Sequence, residues 1–195
     1  SYVFPAITTM KEYLLLPPRG SPYERGVYLF LSTFRFFSFA IAVALIFTIP
    51  QQPPTDWQIL LIISLVGVYT ILKILFRFRL WQWDLLTYTI LGGDLAVGMA
   101  LVLLTGGVDS PFLLYSLLSV LTASLFFSLR ITLIIAALTS LNLILAHTVL
   151  AIISPTTFVP ILQGNYLTFV VVYVVFSFLI ATITYRTNLN VYRHL

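Results

Sequence analysis

Residues 85–129 read LLTYTILGGDLAVGMALVLLTGGVDSPFLLYSLLSVLTASLFFSL. Two apolar runs, 85–104 and 111–129, are parted by Thr105-Gly106-Gly107-Val108-Asp109-Ser110, and the second run opens on Pro111 and Phe112. Each run approaches the roughly 20 apolar residues that a helix needs to cross a hydrocarbon core, so the polar, glycine-rich stretch between them is a turn. The pattern extends to either side: segments 27–49, 57–75, 131–153 and 166–185 are equally apolar, which gives six in all. Lipid offers no partner for a backbone amide, so the segments must be helices, because a closed barrel would need alternating apolar and polar residues. The expected fold class is all-α, a polytopic bundle of six transmembrane helices.

Composition agrees. Of 195 residues, 60% are hydrophobic and 8% charged, with a mean hydropathy of +1.05, whereas ordinary soluble domains carry about 25% charged residues. The absence of Cys excludes disulfides, thiolate catalysis and Cys-ligated metal. Two His and six acids leave little for a carboxylate metal cluster, and none is expected. The opening SYVFPAITTM lacks the pattern of a secretory signal. Pro and Gly mark the remaining breaks, at residues 49–54 and 154–164. The second segment is short before Lys73, which could snorkel to the interface. Only Leu129-Arg130-Ile131 parts the fourth and fifth segments, so these form a tight antiparallel hairpin.

Orientation follows from the basic residues. Lys11, Arg19, Arg25 and Arg35 lie before or early in the first segment, Lys73, Arg77 and Arg79 between the second and third, Arg130 between the fourth and fifth, and Arg186 and Arg193 after the sixth. All ten therefore fall on one side, and the positive-inside bias makes both termini cytoplasmic. The domain reading is a cytoplasmic segment 1–26, a six-helix domain 27–185 and a cytoplasmic tail 186–195. The net charge of +4 reflects topology and anionic lipid, with no nucleic acid implied. The turn at 105–112 then faces outward.

Gly106 and Gly107 permit positive φ and close approach of another backbone or a flat ligand. Pro111 suits a first helical turn, Ser110 an N-cap, and Asp109 the positive end of the helix dipole. A capped, sharp turn is a sufficient account of these residues taken alone. Gly106-Gly107-Val108-Asp109-Ser110-Pro111-Phe112 also resembles the GGxxNPF signature of redox-sensing histidine kinases of the RegB type. In that family the signature lies between the third and fourth of six membrane helices and is implicated in quinone binding. Ser110 stands where the family has Asn. The resemblance implies a quinone-like ligand at Gly106, Gly107, Asp109, Ser110, Pro111 and Phe112, with Phe112 offering a stacking face and Ser110 or a loop amide a donor.

Asp94 and His147 complete the candidate site. Asp94 falls near mid-bilayer, where an ionised acid costs roughly 3 kcal/mol. With no basic residue expected at its depth, the neutral acid is the expected resting form, either hydrogen-bonded to Asn142, Thr139 or Thr122 or responding to protons near a redox ligand. An amide should then serve in its place. Gly92, Gly93 and Gly98 around it invite a close helix neighbour. His147 lies at the depth of the outer turn and could bond a quinone carbonyl or ligate the metal centre of a chlorophyll or haem; packing is the plainer use. Trp57, Trp81 and Trp83 read as interfacial belt.

Two functions from different classes follow. In the first, the chain is the non-enzymatic sensory module of a histidine-kinase-like signalling protein of the bacterial inner membrane, a homodimer reading the quinone pool and passing the result down its sixth helix. Only residues 186–195 follow that helix, so the kinase core is expected to be absent from this chain. In the second, it is a complete accessory subunit of a photosynthetic or respiratory complex that holds quinone, carotenoid or bacteriochlorophyll.

Overall fold

The computed structural model describes residues 22–48, 56–75, 84–153 and 165–193. The breaks at 49–54 and 154–164, together with Lys11, Arg19, Arg77, Arg79, Trp81, Trp83 and His194, lie outside the described residues. The helices are α1 Pro22–Thr48, α2 Asp56–Leu75, α3 Asp84–Leu104, α4 Leu113–Ser116, α5 Leu118–Phe126, α6 Leu129–Ile153 and α7 Tyr166–Arg193. With α4 and α5 forming one interrupted rod, these are the six expected segments. Four of them, within α1, α2, α6 and α7, are long and apolar enough to span a bilayer.

The fourth segment differs from the expected continuous span over 111–129. Its helical part starts at Leu113, breaks at Leu117 and ends at Phe126. The Ser116 hydroxyl donates to the Leu113 carbonyl at 2.6 Å and Ser119 to the Ser116 carbonyl at 3.0 Å, and such local bonds compete with the helical ladder. Every residue from Leu118 to Phe126 is buried. α1, α3, α6 and α7 pack around this rod, making it the axis of the bundle.

α6 shows how the sequence achieves this packing. Its buried residues Thr132, Ile135, Ala136, Thr139, Ser140, Leu143, Ala146 and His147 recur with helical period, and most are small or hydroxylated. Ile134, Leu138, Leu141, Leu145 and Ile152 point outward. A face of small residues toward the helices and of large aliphatics toward lipid is the arrangement membrane packing favours. The hydroxyls satisfy themselves on their own helix, Thr139 on the Ile135 carbonyl and Ser140 on the Ala136 carbonyl, both at 2.8 Å.

α7 is longer than the segment 166–185 expected from hydropathy, because the helix runs on through Arg186 to Arg193. Residues read as a tail are therefore helical as far as Arg193. α2 is the outermost helix. It packs on α1, and few of its residues are buried, Val66 and Thr70 among them.

Candidate functional site

The expected site residues fall into two groups. The turn at 105–112 forms one. Gly106 (φ 115°) and Gly107 (φ 62°) both adopt the left-handed region, as the sequence implied, and Gly107–Asp109 form a single 3-10 turn. A Cβ on Gly107 would lie 2.9 Å from the His147 Cα. The glycine thus lets the turn lie directly on the α6 backbone, and it brings His147 to the motif.

Ser110 closes the turn with its side chain, although the helix itself begins only at Leu113. Its Oγ accepts the Phe112 N–H at 3.2 Å and shares a hydrogen bond with Thr105 Oγ1. Phe112 is fully buried and meets Tyr115 edge to face, with centroids 6.4 Å apart. The expected open stacking face on Phe112 is corrected by this packing: its ring fills the core beneath the turn. Pro111 is buried too, while Asp109 is exposed. The Tyr166 ring at the start of α7 lies 4.7 Å from the buried His147 ring, centroid to centroid. Gly107 against His147 joins the turn to α6, and the Tyr166 ring against His147 brings the start of α7 to the same place.

Asp94 belongs to a second group, about 16 Å along α3 from the turn at 1.5 Å per residue. Arg35 Nη2 donates to its Oδ2 at 2.7 Å and the Tyr69 hydroxyl to its Oδ1 at 2.7 Å. Lys73 Nζ stands 3.3 Å from the same Oδ1 and 5.3 Å from the centre of the Tyr69 ring. This corrects three expectations. Asp94 has basic neighbours at its depth, its partners are those of a carboxylate instead of a neutral acid, and Lys73 turns inward where it was expected to snorkel. Asn142 bonds the Met99 carbonyl instead, at 3.4 Å. Burying the carboxylate is costly, and two cations with a phenol offset that cost.

The small residues of α3 make room for this cluster and for the central rod. A Cβ at Gly93 would meet the Tyr69 hydroxyl at 3.4 Å, and one at Gly98 would meet the Ser116 Cα at 3.1 Å; around Gly92 there is open space. Two of the three glycines thus serve close approach. Thr70 and Tyr115 share a hydrogen bond at 3.1 Å, carrying polar contact from α2 into the rod. The rod reaches α7 through Ser116 and the Tyr173 hydroxyl, and again through Asn188 Nδ2, which donates to the Leu125 carbonyl at 2.8 Å.

Arg35, Tyr69, Lys73, Tyr166, Tyr173 and Asn188 were not among the expected site residues. Arg35 was discoverable: a guanidinium inside an apolar run needs an acid, and Asp94 is the sole acid within the six segments. Among the described residues no cluster of three His, Asp or Glu could hold a metal ion.

The fold and these two groups define a multi-pass helical membrane domain, with an ion-paired interior and a closely packed turn between α3 and α4. Residues 24–190 match the PilS-like transmembrane domain, and the chain belongs to that family, a six-span membrane domain of the sensor-kinase type. No curated protein and no solved structure matches the chain.

Proposed function

We propose that this chain is the membrane sensory module of a sensor-kinase-type signalling protein in a bacterial inner membrane, with its basic end cytoplasmic and α7 as the output helix. The observation that carries this reading is the way α7 is held. It meets His147, on which the turn lies, through Tyr166, the central rod through Tyr173 and the far end of that rod through Asn188, and it continues as helix to Arg193. A displacement of the turn or the rod then acts on a rigid element that leaves the bundle at its basic end. Family membership supports the same reading.

The ligand class we propose for the outer turn is a lipophilic redox molecule of the quinone type. Its support is the resemblance of Gly106–Phe112 to the GGxxNPF signature. With Phe112 and Ser110 engaged beneath, a headgroup would meet the outer members Gly106, Asp109 and Tyr166.

The reading is tested by joining a histidine-kinase catalytic core to the helix after Arg193, in several helical phases, and measuring autophosphorylation in nanodiscs with and without a quinone. At least one phase is expected to respond to Tyr166→Ala, which removes the ring packed on His147, and to the quinone. Output indifferent to Tyr166→Ala, Tyr173→Phe and Asn188→Leu in every phase would refute α7 as the output helix.

A further inference from the structure

The polar contacts that α2 makes with α3 and the central rod come from little more than one of its turns. Tyr69 donates to Asp94 Oδ1 at 2.7 Å, Thr70 shares a hydrogen bond with Tyr115 at 3.1 Å, and Lys73 Nζ lies 3.3 Å from Asp94 Oδ1. Otherwise α2 packs on α1, with Gly67 so close that a Cβ there would meet the Phe39 ring at 3.3 Å. Leu60, Leu65, Val68, Ile71 and Leu72 are exposed. A polar clasp at the basic end therefore fastens this outermost helix to α3 and the rod.

The clasp sums to one surplus positive charge. Arg35 and Asp94 neutralise each other at 2.7 Å, with side chains 8% and 0% exposed, and Lys73 adds a second cation to the same carboxylate. A surplus charge away from water is costly, and it is repelled by the like charge beside it. Lys73 also has an exit: it stands two residues before the end of α2 at Leu75, its side chain is already 19% exposed, and its aliphatic stem lets the ammonium reach the headgroups. Its departure leaves no bare charge behind, because Asp94 keeps Arg35. We propose that α2 is a strap with two seats, an inward one with Lys73 on Asp94 and an outward one with Lys73 among the headgroups, the Arg35–Asp94 pair staying intact in both. In the outward seat Thr70 leaves Tyr115, whose ring meets Phe112 edge to face beneath the turn. The position of α2 therefore bears on how the turn is seated, although the two seats do not depend on the function proposed above.

The test is the distance between spin labels on Leu72→Cys and Ile134→Cys in nanodiscs. Both positions are exposed, one on α2 and one on α6, and the chain has no other Cys. The labelled chain should show a second, longer distance in up to about a tenth of the molecules, the size of an ordinary minor state. Tyr69→Phe removes a hydrogen bond to the carboxylate and should raise the longer population about tenfold relative to the shorter. Lys73→Met keeps the stem and removes the surplus charge, so it should abolish the longer distance; Lys73→Gln is a second neutral variant should the first misfold. A clasp in which both side chains merely hold α2 would loosen in both substitutions. Growth of the longer distance in Lys73→Met, or a single distance in both the labelled chain and Tyr69→Phe, would overturn the proposal.

Discussion

Arg35 Nη2 lies 2.7 Å from Asp94 Oδ2, with the two side chains 8% and 0% exposed, so the middle of α1 and the middle of α3 are joined by an ion pair sealed from lipid. Removing one partner of a buried pair leaves an uncompensated charge and costs about 3–5 kcal/mol. Asp94→Asn is therefore expected to lower thermal stability strongly. The double variant Arg35→Gln, Asp94→Asn should recover at least half of that loss. A stable Asp94→Asn protein in a detergent melt would return Asp94 to the neutral role expected from its depth.

Gly107 and Gly92 should respond oppositely to alanine. At Gly107 the added Cβ meets the α6 backbone and φ is 62°, so Gly107→Ala is expected to cost about 2 kcal/mol or more. Gly92 is helical and faces open space, so Gly92→Ala should be neutral or stabilise by up to about 1 kcal/mol. Melting curves of the two variants side by side check the assignment of Gly107 to packing.

Tyr173→Phe removes the hydroxyl that Ser116 shares across the α4–α7 contact. Ser116 keeps its bond to the Leu113 carbonyl at 2.6 Å, so the loss should be about 1 kcal/mol. A Ser116→Ala, Tyr173→Phe cycle should show coupling of similar size; strict additivity would mean that the two hydroxyls act separately.

Cysteines placed singly at Asp109 and Thr187, both exposed, should label from opposite sides of a membrane with an impermeant thiol reagent, Thr187 from the cytoplasm. The chain has no other Cys. Labelling from one side only would contradict the orientation read from the basic residues.

The helices were legible because hydropathy dictates them: lipid leaves the backbone no alternative, and five of the six segments end within a few residues of their expected bounds or extend beyond them. The fourth was misjudged as a plain span. Its Ser116, Ser119, Thr122 and Ser124 are the residues of a helix shielded on every side, and they were a readable sign of its central place. The turn conformation was legible from Gly106 and Gly107, but the burial of Phe112 was not, since it depends on Tyr115 and on how the rod seats. Arg35 and Asp94 stand at nearly the same depth, one residue apart when counted from the starts of their segments at residues 27 and 85, which is a readable sign of their pairing. The contact of Ser116 with Tyr173 joins residues far apart in sequence and needed the packed bundle.

If α7 moves with the outer turn, the distance between spin labels on Arg130 and Thr187 in nanodiscs should report it. Both positions are exposed near the basic end, one on α6 and one on α7. In Tyr166→Ala, which removes the ring packed on His147 at the opposite end, that distance is expected to shift by about 1–2 Å, the size of helix displacement used in switching proteins. A distance distribution identical to that of the unaltered chain, in a variant that remains folded, would contradict the coupling of α7 to the turn.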